Sequence, residues 1–93
     1  MVTAIVLINA ERNRIEAAAQ EILDLKGITE VYSVAGDYDL AAVARVRQND
    51  DLAKLVTENL IEVKGITKTN TLIAFRQYSQ HDLEAMFELG NEP

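Results

Sequence analysis

Cysteine is absent from the 93 residues, which excludes disulfides, thiolate nucleophiles and cysteine-based metal sites together. Histidine occurs once, at His81 beside Asp82. No serine-based triad or metal set assembles around it, and a surface position is expected. Positive charge is also scarce. Nine Lys and Arg stand against fifteen Asp and Glu, giving a formal net charge of −6, and the nine are scattered along the chain rather than clustered. A nucleic-acid reader carries the opposite sign in a concentrated footprint, so no direct contact with nucleic acid is expected. No apolar run approaches the length of about 18 residues that reads as membrane-spanning. The chain opens in strand-like sequence, without the basic start and long apolar stretch of an export signal. A soluble, cytoplasmic protein with no membrane partner is expected.

The chain does contain a repeat. Lys-Gly-Ile-Thr occurs at 26–29 and again at 64–67, a shift of 64 − 26 = 38 positions. The same shift carries the apolar run 2–8 onto 40–46, and Ile15, Ile22 and Leu23 onto Ala53, Leu60 and Ile61. Two copies are too few for a solenoid. Each reads strand, helix, strand, so the whole is βαββαβ, the α+β split-βαβ or ferredoxin-like sandwich. A composition of 48% hydrophobic and 26% charged residues suits one small globular domain. Such a domain buries only roughly 60 to 65% of its unfolded surface and gains from association.

Residues 2–9 alternate with Ile5 and Leu7 on one face and Val2, Ala4, Val6 and Ile8 on the other, so both faces are apolar. Asn13 followed by Glu16 suggests a capping pair for a helix of about 13 residues, with Ile15, Ala18, Ala19, Ile22 and Leu23 inward and Gly27 at its end. A second strand over 28–35 places Ile28, Tyr32 and Val34 on one face. Residues 36–39 turn the chain into a third strand at 40–46. Asp50 or Asp51 caps a second helix with Leu52, Leu55, Val56, Asn59, Leu60 and Val63 inward, ended by Gly65. A long fourth strand then alternates Thr67, Thr69, Thr71, Ile73 and Phe75 with Ile66, Lys68, Asn70, Leu72, Ala74 and Arg76. The spacing divides the chain into a βαββαβ domain at 1–78 and a C-terminal helix and tail at 79–93, with Leu83, Met86 and Phe87 on the helix's apolar face. Glu58, Glu62, Glu84 and Glu88 fall on solvent faces.

Right-handed crossovers put the first and third strands in the centre, the second and fourth at the edges, and both helices on one face. The other sheet face is then an uncovered apolar patch. Face-to-face homodimerisation of the dimeric α/β-barrel type would bury it.

Two places concentrate polar chemistry. Gly36, Asp37, Tyr38 and Asp39 compress a glycine, two carboxylates and a phenol into four residues. Gly and Asp are turn formers, which accounts for the loop by itself. The same residues also offer backbone N–H groups to a carboxylate and an acidic side chain to an ammonium, the two ends of an amino acid. Thr69, Asn70 and Thr71 stand where the first repeat has Val31, Tyr32 and Ser33. They read either as exposed edge residues or as the wall of a small polar pocket. Asp37 and Asp39 have no other carboxylate or histidine at ligand spacing, so neither a metal nor a cofactor is expected.

With Ile28-Thr-Glu-Val-Tyr-Ser-Val-Ala-Gly-Asp-Tyr-Asp-Leu40 and Thr69-Asn-Thr-Leu-Ile-Ala-Phe75 in place, nearly the whole chain resembles the effector-binding (RAM) domain of the Lrp/AsnC transcription regulators. The family's glycine, variable residue, aromatic, aspartate motif falls on Gly36, Asp37, Tyr38 and Asp39, and its polar fourth-strand residues fall on Thr69, Asn70 and Thr71. The resemblance implies a domain that dimerises through its sheets, dimers that assemble into an octamer-like ring, and an amino-acid effector bound near the hairpin. It assigns Gly36 and Asp37 to backbone contacts with the ligand, Asp39 to the ammonium or to bracing the loop, and the threonines to the pocket wall. No helix-turn-helix precedes Met1, so the chain resembles the stand-alone form, either as a protein that naturally lacks a DNA reader, which the acidic charge favours, or as an excised fragment that begins at an added methionine. Such a form is expected to sense amino acids, to assemble with itself, or to join full-length Lrp/AsnC regulators.

Two other functions fit the same fold. A cofactor-independent monooxygenase of the dimeric α/β-barrel kind would need a polar cavity between sheet and helices. The inward Ile15, Ala19, Ile22, Leu55 and Leu60 are core-forming instead, so no enzyme is expected. A ligand-free assembly subunit would form the ring and bind no amino acid.

Overall fold

The computed structural model describes residues 1–80. Strand β1 (Val2–Ala10) leads through a 3-10 turn (Arg12–Arg14) into helix α1 (Ile15–Leu23), strand β2 (Ile28–Ser33) and strand β3 (Leu40–Val46). Helix α2 (Asn49–Lys54) continues through a π turn (Leu55–Asn59) and a 3-10 turn (Leu60–Glu62) to strand β4 (Ile66–Ile73). The sheet order is β2-β3-β1-β4, antiparallel throughout, as right-handed crossovers of two βαβ units require. The C-terminal helix expected within 79–93 falls, from residue 81 on, outside the described residues. Residues 74–80 follow β4 without regular structure. No helix of the described residues is long and apolar enough to cross a membrane.

The β1 alternation holds residue by residue. Ala4, Val6, Ile8 and Ala10 are buried under the helices, whereas Ile5 is 40% exposed on the opposite face. Cross-strand partners share a face, so Ala42, Ala44 and Leu40 of β3 join the buried side through Val6–Ala42, Ala4–Ala44 and Ile8–Leu40. Alanine on the central strands lets the helices approach closely, and Ala18 and Ile22 of α1 with Leu52, Leu55 and Leu60 fill the space above. Every buried side chain among the described residues is hydrophobic. Ile22 and Leu60 are fully buried, and each contributes about 1.5 to 3 kcal/mol.

The repeat is visible in space. Ile22 and Leu60, equivalent under the 38-residue shift, are both fully buried, and Leu23 and Ile61, the next pair, are 45% and 65% exposed. Leu23, the last residue of α1, therefore leaves the inward stripe. Gly27 and Gly65 both take left-handed backbone, φ 101° and 95°, where each repeat turns from helix into strand. Their carbonyls accept from Arg45 N–H and Glu11 N–H, each at 2.8 Å.

Other departures have local causes. With Glu11 held to Gly65, the chain turns at once, and Arg14 N–H donates to the Glu11 carbonyl at 2.8 Å. Asn13 is thus inside the 3-10 turn and caps nothing. Before α2 the capping residue is Gln48, and Asp51 reaches back from the first turn to accept its N–H at 3.3 Å. Strand β2 carries a bulge at Thr29, since Ile28 pairs with Ala44 but Glu30 pairs with Val43. Ile28 therefore faces the core, and Tyr32 faces the opposite side. Strand β4 ends at Ile73, short of the expected Phe75 and Arg76, although Ala74 N–H still donates to the Thr3 carbonyl at 2.9 Å.

In the second helical segment Leu52, Leu55, Leu60 and Val63 are buried, Val56 packs partly buried against them, and Asn59 is exposed. The reason is the π turn, in which Leu60 N–H donates to the Leu55 carbonyl five residues back. The widened turn rotates Asn59 out and carries Leu60 into the core.

The face away from the helices is uncovered. Tyr32, Ala41, Leu7 and Asn70 form one row across all four strands, and Glu30, Val43, Ile5 and Leu72 form the next. Ile5, Tyr32 and Leu72 are 40%, 51% and 49% exposed. One edge is polar. Glu30 accepts from the Tyr32 hydroxyl and pairs with Arg45 at 3.4 Å, while Arg45 also donates to Thr29 at 2.7 Å. The Tyr32 hydroxyl and then the Arg45 guanidinium hold the Glu30 carboxyl below the usual carboxylate range, and Glu30 raises the Tyr32 phenol.

Two predictions follow from these contacts. Leu60→Ala is expected to cost about 2 to 5 kcal/mol and Asn59→Ala within about 0.5 kcal/mol in urea unfolding; similar losses at both would sink the π-turn register. Because the fold lowers the Glu30 pKa, the stability that its charge adds is present above its unfolded pKa and lost as pH falls through the folded one. The stability difference between wild type and Glu30→Gln should therefore shrink from pH 6 to pH 3. A difference that stays constant over that range would exclude the ionised cluster as its source.

Candidate functional site

Hairpin 34–39 joins β2 to β3, and its conformation is set at three points. Val34 N–H donates to the Asp39 carbonyl at 3.0 Å and closes the turn. Asp39 N–H donates to the Ile8 carbonyl at 3.0 Å and lies 3.1 Å from Asn9 Oδ1. The Asp39 carboxylate accepts from Ala10 N–H at 3.0 Å. A single aspartate thus ties the hairpin to the end of β1 through both backbone and side chain. Of its two anticipated roles, bracing the loop is the one these contacts perform. A carboxylate bonded in this way holds the loop more strongly than a neutral acceptor would.

Gly36 sits at the exposed tip with φ 119°. A side chain there is strained by the backbone alone, although nothing among the described residues lies within 4 Å of where its Cβ would be. The space beside the tip is open. Asp37 is exposed and makes no hydrogen bond or ion pair among the described residues, which leaves its carboxylate available to an ammonium. Tyr38 is half-buried, and its hydroxyl accepts from Asn70 Nδ2 at 3.4 Å. Lys68 Nζ stands 5.7 Å from the centre of the Tyr38 ring, within cation–π range.

Register explains which fourth-strand residues join this group. Lys68 and Asn70 pair with Asn9 and Leu7, on the uncovered sheet face. Thr69 and Thr71 pair with Ile8 and Val6, on the helix-covered face. The seven residues singled out in the sequence are therefore divided. Tyr38 and Asn70 meet at one end of the uncovered face, Asp39 is tied to the end of β1 beside them, Gly36 and Asp37 lie exposed in the same hairpin, and the two threonines point away from that face. Consecutive strand residues alternate sides, so three in a row cannot line one surface.

Asn9 and Lys68 belong to the group and were not singled out in the sequence. The signal was the polar exception on an apolar face: Asn9 shares the parity of Ile5 and Leu7. Chemically, the end of the sheet now offers a cation at Lys68, an amide at Asn70, a phenol at Tyr38 and a free carboxylate at Asp37. That set can hold a zwitterion by both ends.

Residues 3–83 match the family described as the Lrp/AsnC ligand binding domain. An HTH-type transcriptional regulator of Pyrococcus furiosus is 36% identical over 72 residues, which cover 77% of this chain and 48% of that protein. The chain thus spans about half the length of the curated relative it matches. The crystal structure of TTHA0845 from Thermus thermophilus superposes with a TM-score of 0.81 at 41% identity, over 86% of this chain and 100% of that one. A feast or famine regulatory protein of Mycobacterium tuberculosis, solved with L-methionine, superposes with a TM-score of 0.72 at 22% identity, over 87% of this chain and 56% of that one, which is a likeness of fold.

If Asp39 is the brace, Asp39→Ala should cost roughly 1 to 3 kcal/mol and speed hydrogen exchange at Ala10 N–H. Asp37→Ala, on an exposed tip, should stay within about 0.5 kcal/mol of wild type. Unaltered exchange at Ala10 in the Asp39 variant would remove Asp39 from that role.

Proposed function

The chain belongs to the Lrp/AsnC ligand binding domain family, and from that premise we propose that it is an oligomeric regulatory module that binds a small amino acid beside the β2–β3 hairpin, where subunits meet. The observation that carries this reading is the pinned hairpin whose exposed tip, with Tyr38, Lys68 and Asn70, opens on the uncovered face of the sheet. In this reading Lys68 and the backbone of Gly36 and Asp37 receive the carboxylate, Asp37 receives the ammonium, and Asp39 holds the loop in shape. Thr69 and Thr71 lie on the other face and reach a ligand only from a neighbouring seam. A fold relative solved with L-methionine supports an amino acid as the ligand class.

Association is proposed through the uncovered face, where Ile5, Leu72 and Tyr32 leave an apolar surface that a second copy would bury. Dimers then assemble into a larger, octamer-like ring. Any effect on transcription passes through DNA-binding regulators of the same family that the module joins. The formal net charge of −6 favours that indirect route over contact with DNA. A catalytic reading has less support, because the relatives are regulators and apolar side chains fill the space between sheet and helices.

The test is thermal unfolding of the purified chain with each common amino acid in turn, with oligomeric state followed by sedimentation. Ligand at about 100 times its dissociation constant adds roughly 2.7 kcal/mol, a rise in midpoint on the order of 10 °C. A rise confined to a few amino acids, and abolished by Asp37→Ala or Lys68→Ala, is expected. A ring that forms while no amino acid shifts the midpoint would replace this reading with that of an assembly subunit.

A further inference from the structure

We propose a second ligand site at the opposite end of the sheet from the hairpin: a cationic groove that takes a small phosphate-bearing molecule of the nucleotide class. The hairpin adjoins the Ile8–Leu40 pair, and the groove adjoins the Val2–Val46 pair at the other end of the same two strands. Its volume is about 750 Å³, within the roughly 300 to 1,000 Å³ of small-molecule sites.

Charge is sorted here against the balance of the chain. Lys26, Arg45, Arg47 and Lys54 line the groove, four of the nine Lys and Arg, and among the described residues Asp51 is the one acid that lines it. The cations come from the α1–β2 loop, the end of β3 and α2, so their gathering is a product of the fold. In the sequence they read as scattered. Arg45 is occupied by Glu30, and the Asp51 carboxylate is occupied by Gln48 N–H. That leaves Lys26, Arg47 and Lys54 exposed, with no ion pair among the described residues.

A rim of charge alone would suit any anion, but this groove also has an apolar floor. Val46 and Leu55 form it, and Leu55 is 4% exposed. Gly27 keeps that floor low, because a Cβ at Gly27 would lie 2.9 Å from Val46 Cγ1. Asn59, which the π turn rotates out of the core, adds an amide to the lining. Three unpaired cations around an apolar floor with one amide complement a ligand that has a polyanionic end and a flat body with hydrogen-bonding edges. That combination is a nucleotide rather than a bare phosphate.

The test is calorimetric titration of the chain with ADP, adenosine and inorganic triphosphate as separate probes. ADP is expected to bind, triphosphate to bind at least fivefold more weakly, and adenosine to give no measurable heat. Lys54→Glu should weaken ADP at least tenfold. Lys64→Glu, an equal charge change outside the groove, should stay within twofold of wild type. Absence of ADP binding at millimolar concentration would overturn the proposal. Equal losses in the two variants would overturn it too, since net charge alone would then account for binding. Triphosphate binding as tightly as ADP would overturn the role of the floor. The response to amino acids is a separate signal, so a failure here is distinguishable from a failure at the hairpin.

Discussion

Seven consecutive cross-strand pairs, from Val2–Val46 to Ile8–Leu40, join the first strand of one repeat to the first strand of the other, and the remaining architecture hangs on that register. It aligns the small buried residues of both strands, Ala4 with Ala44 and Val6 with Ala42, into one floor on which both helices rest. It equally aligns Ile5 with Val43 and Leu7 with Ala41 on the far side. A slip by one residue would exchange the two faces, placing Arg45 and Thr3 under the helices. The covered core and the uncovered apolar face are thus set by the same pairing.

The repeat makes the central pairing of these two strands legible in the sequence, although not its register. Apolar runs that superpose under one shift must form equivalent strands, and equivalent strands of two βαβ units meet at the centre. Helix positions were read less well where the geometry departs from 3.6 residues per turn. The pattern Leu55, Val56, Asn59, Leu60 fits a regular helix, yet the π turn exposes Asn59 because the five-residue interval from Leu55 to Leu60 sets the inward positions. The Thr29 bulge likewise carries no strong residue signal. It follows from pairing with β3, a long-range contact that local alternation does not contain.

At the hairpin, residue type located the loop but did not divide the labour between its two aspartates. Residue type alone leaves Asp37 and Asp39 alike, and the family motif sets Asp39 apart without choosing between the ammonium and the brace. The division comes from the end of β1, where Ala10 N–H finds its acceptor in Asp39. An unpaired backbone donor there would cost about as much as a lost hydrogen bond, so the brace serves the strand as well as the loop. Alternation along the strand separates Lys68 and Asn70 from Thr69 and Thr71, but only register with β1 decides which pair shares a face with the hairpin.

Placing Tyr38, Lys68 and Asn70 on the uncovered face has a thermodynamic consequence. In the proposed dimer that face is shared, so a ligand held at its end contacts groups whose solvation already depends on association. A ligand that binds the assembled form better must favour assembly by the same factor, because the coupling is reciprocal. The brace sharpens this. With Asp39 fixed to β1, the hairpin cannot relax independently of the central strands, and strain introduced at its tip passes into the Ile8–Leu40 end of the register. Strand β3 reaches the cationic groove through Arg45 and Val46, so both proposed sites act on the same strand pair from opposite ends.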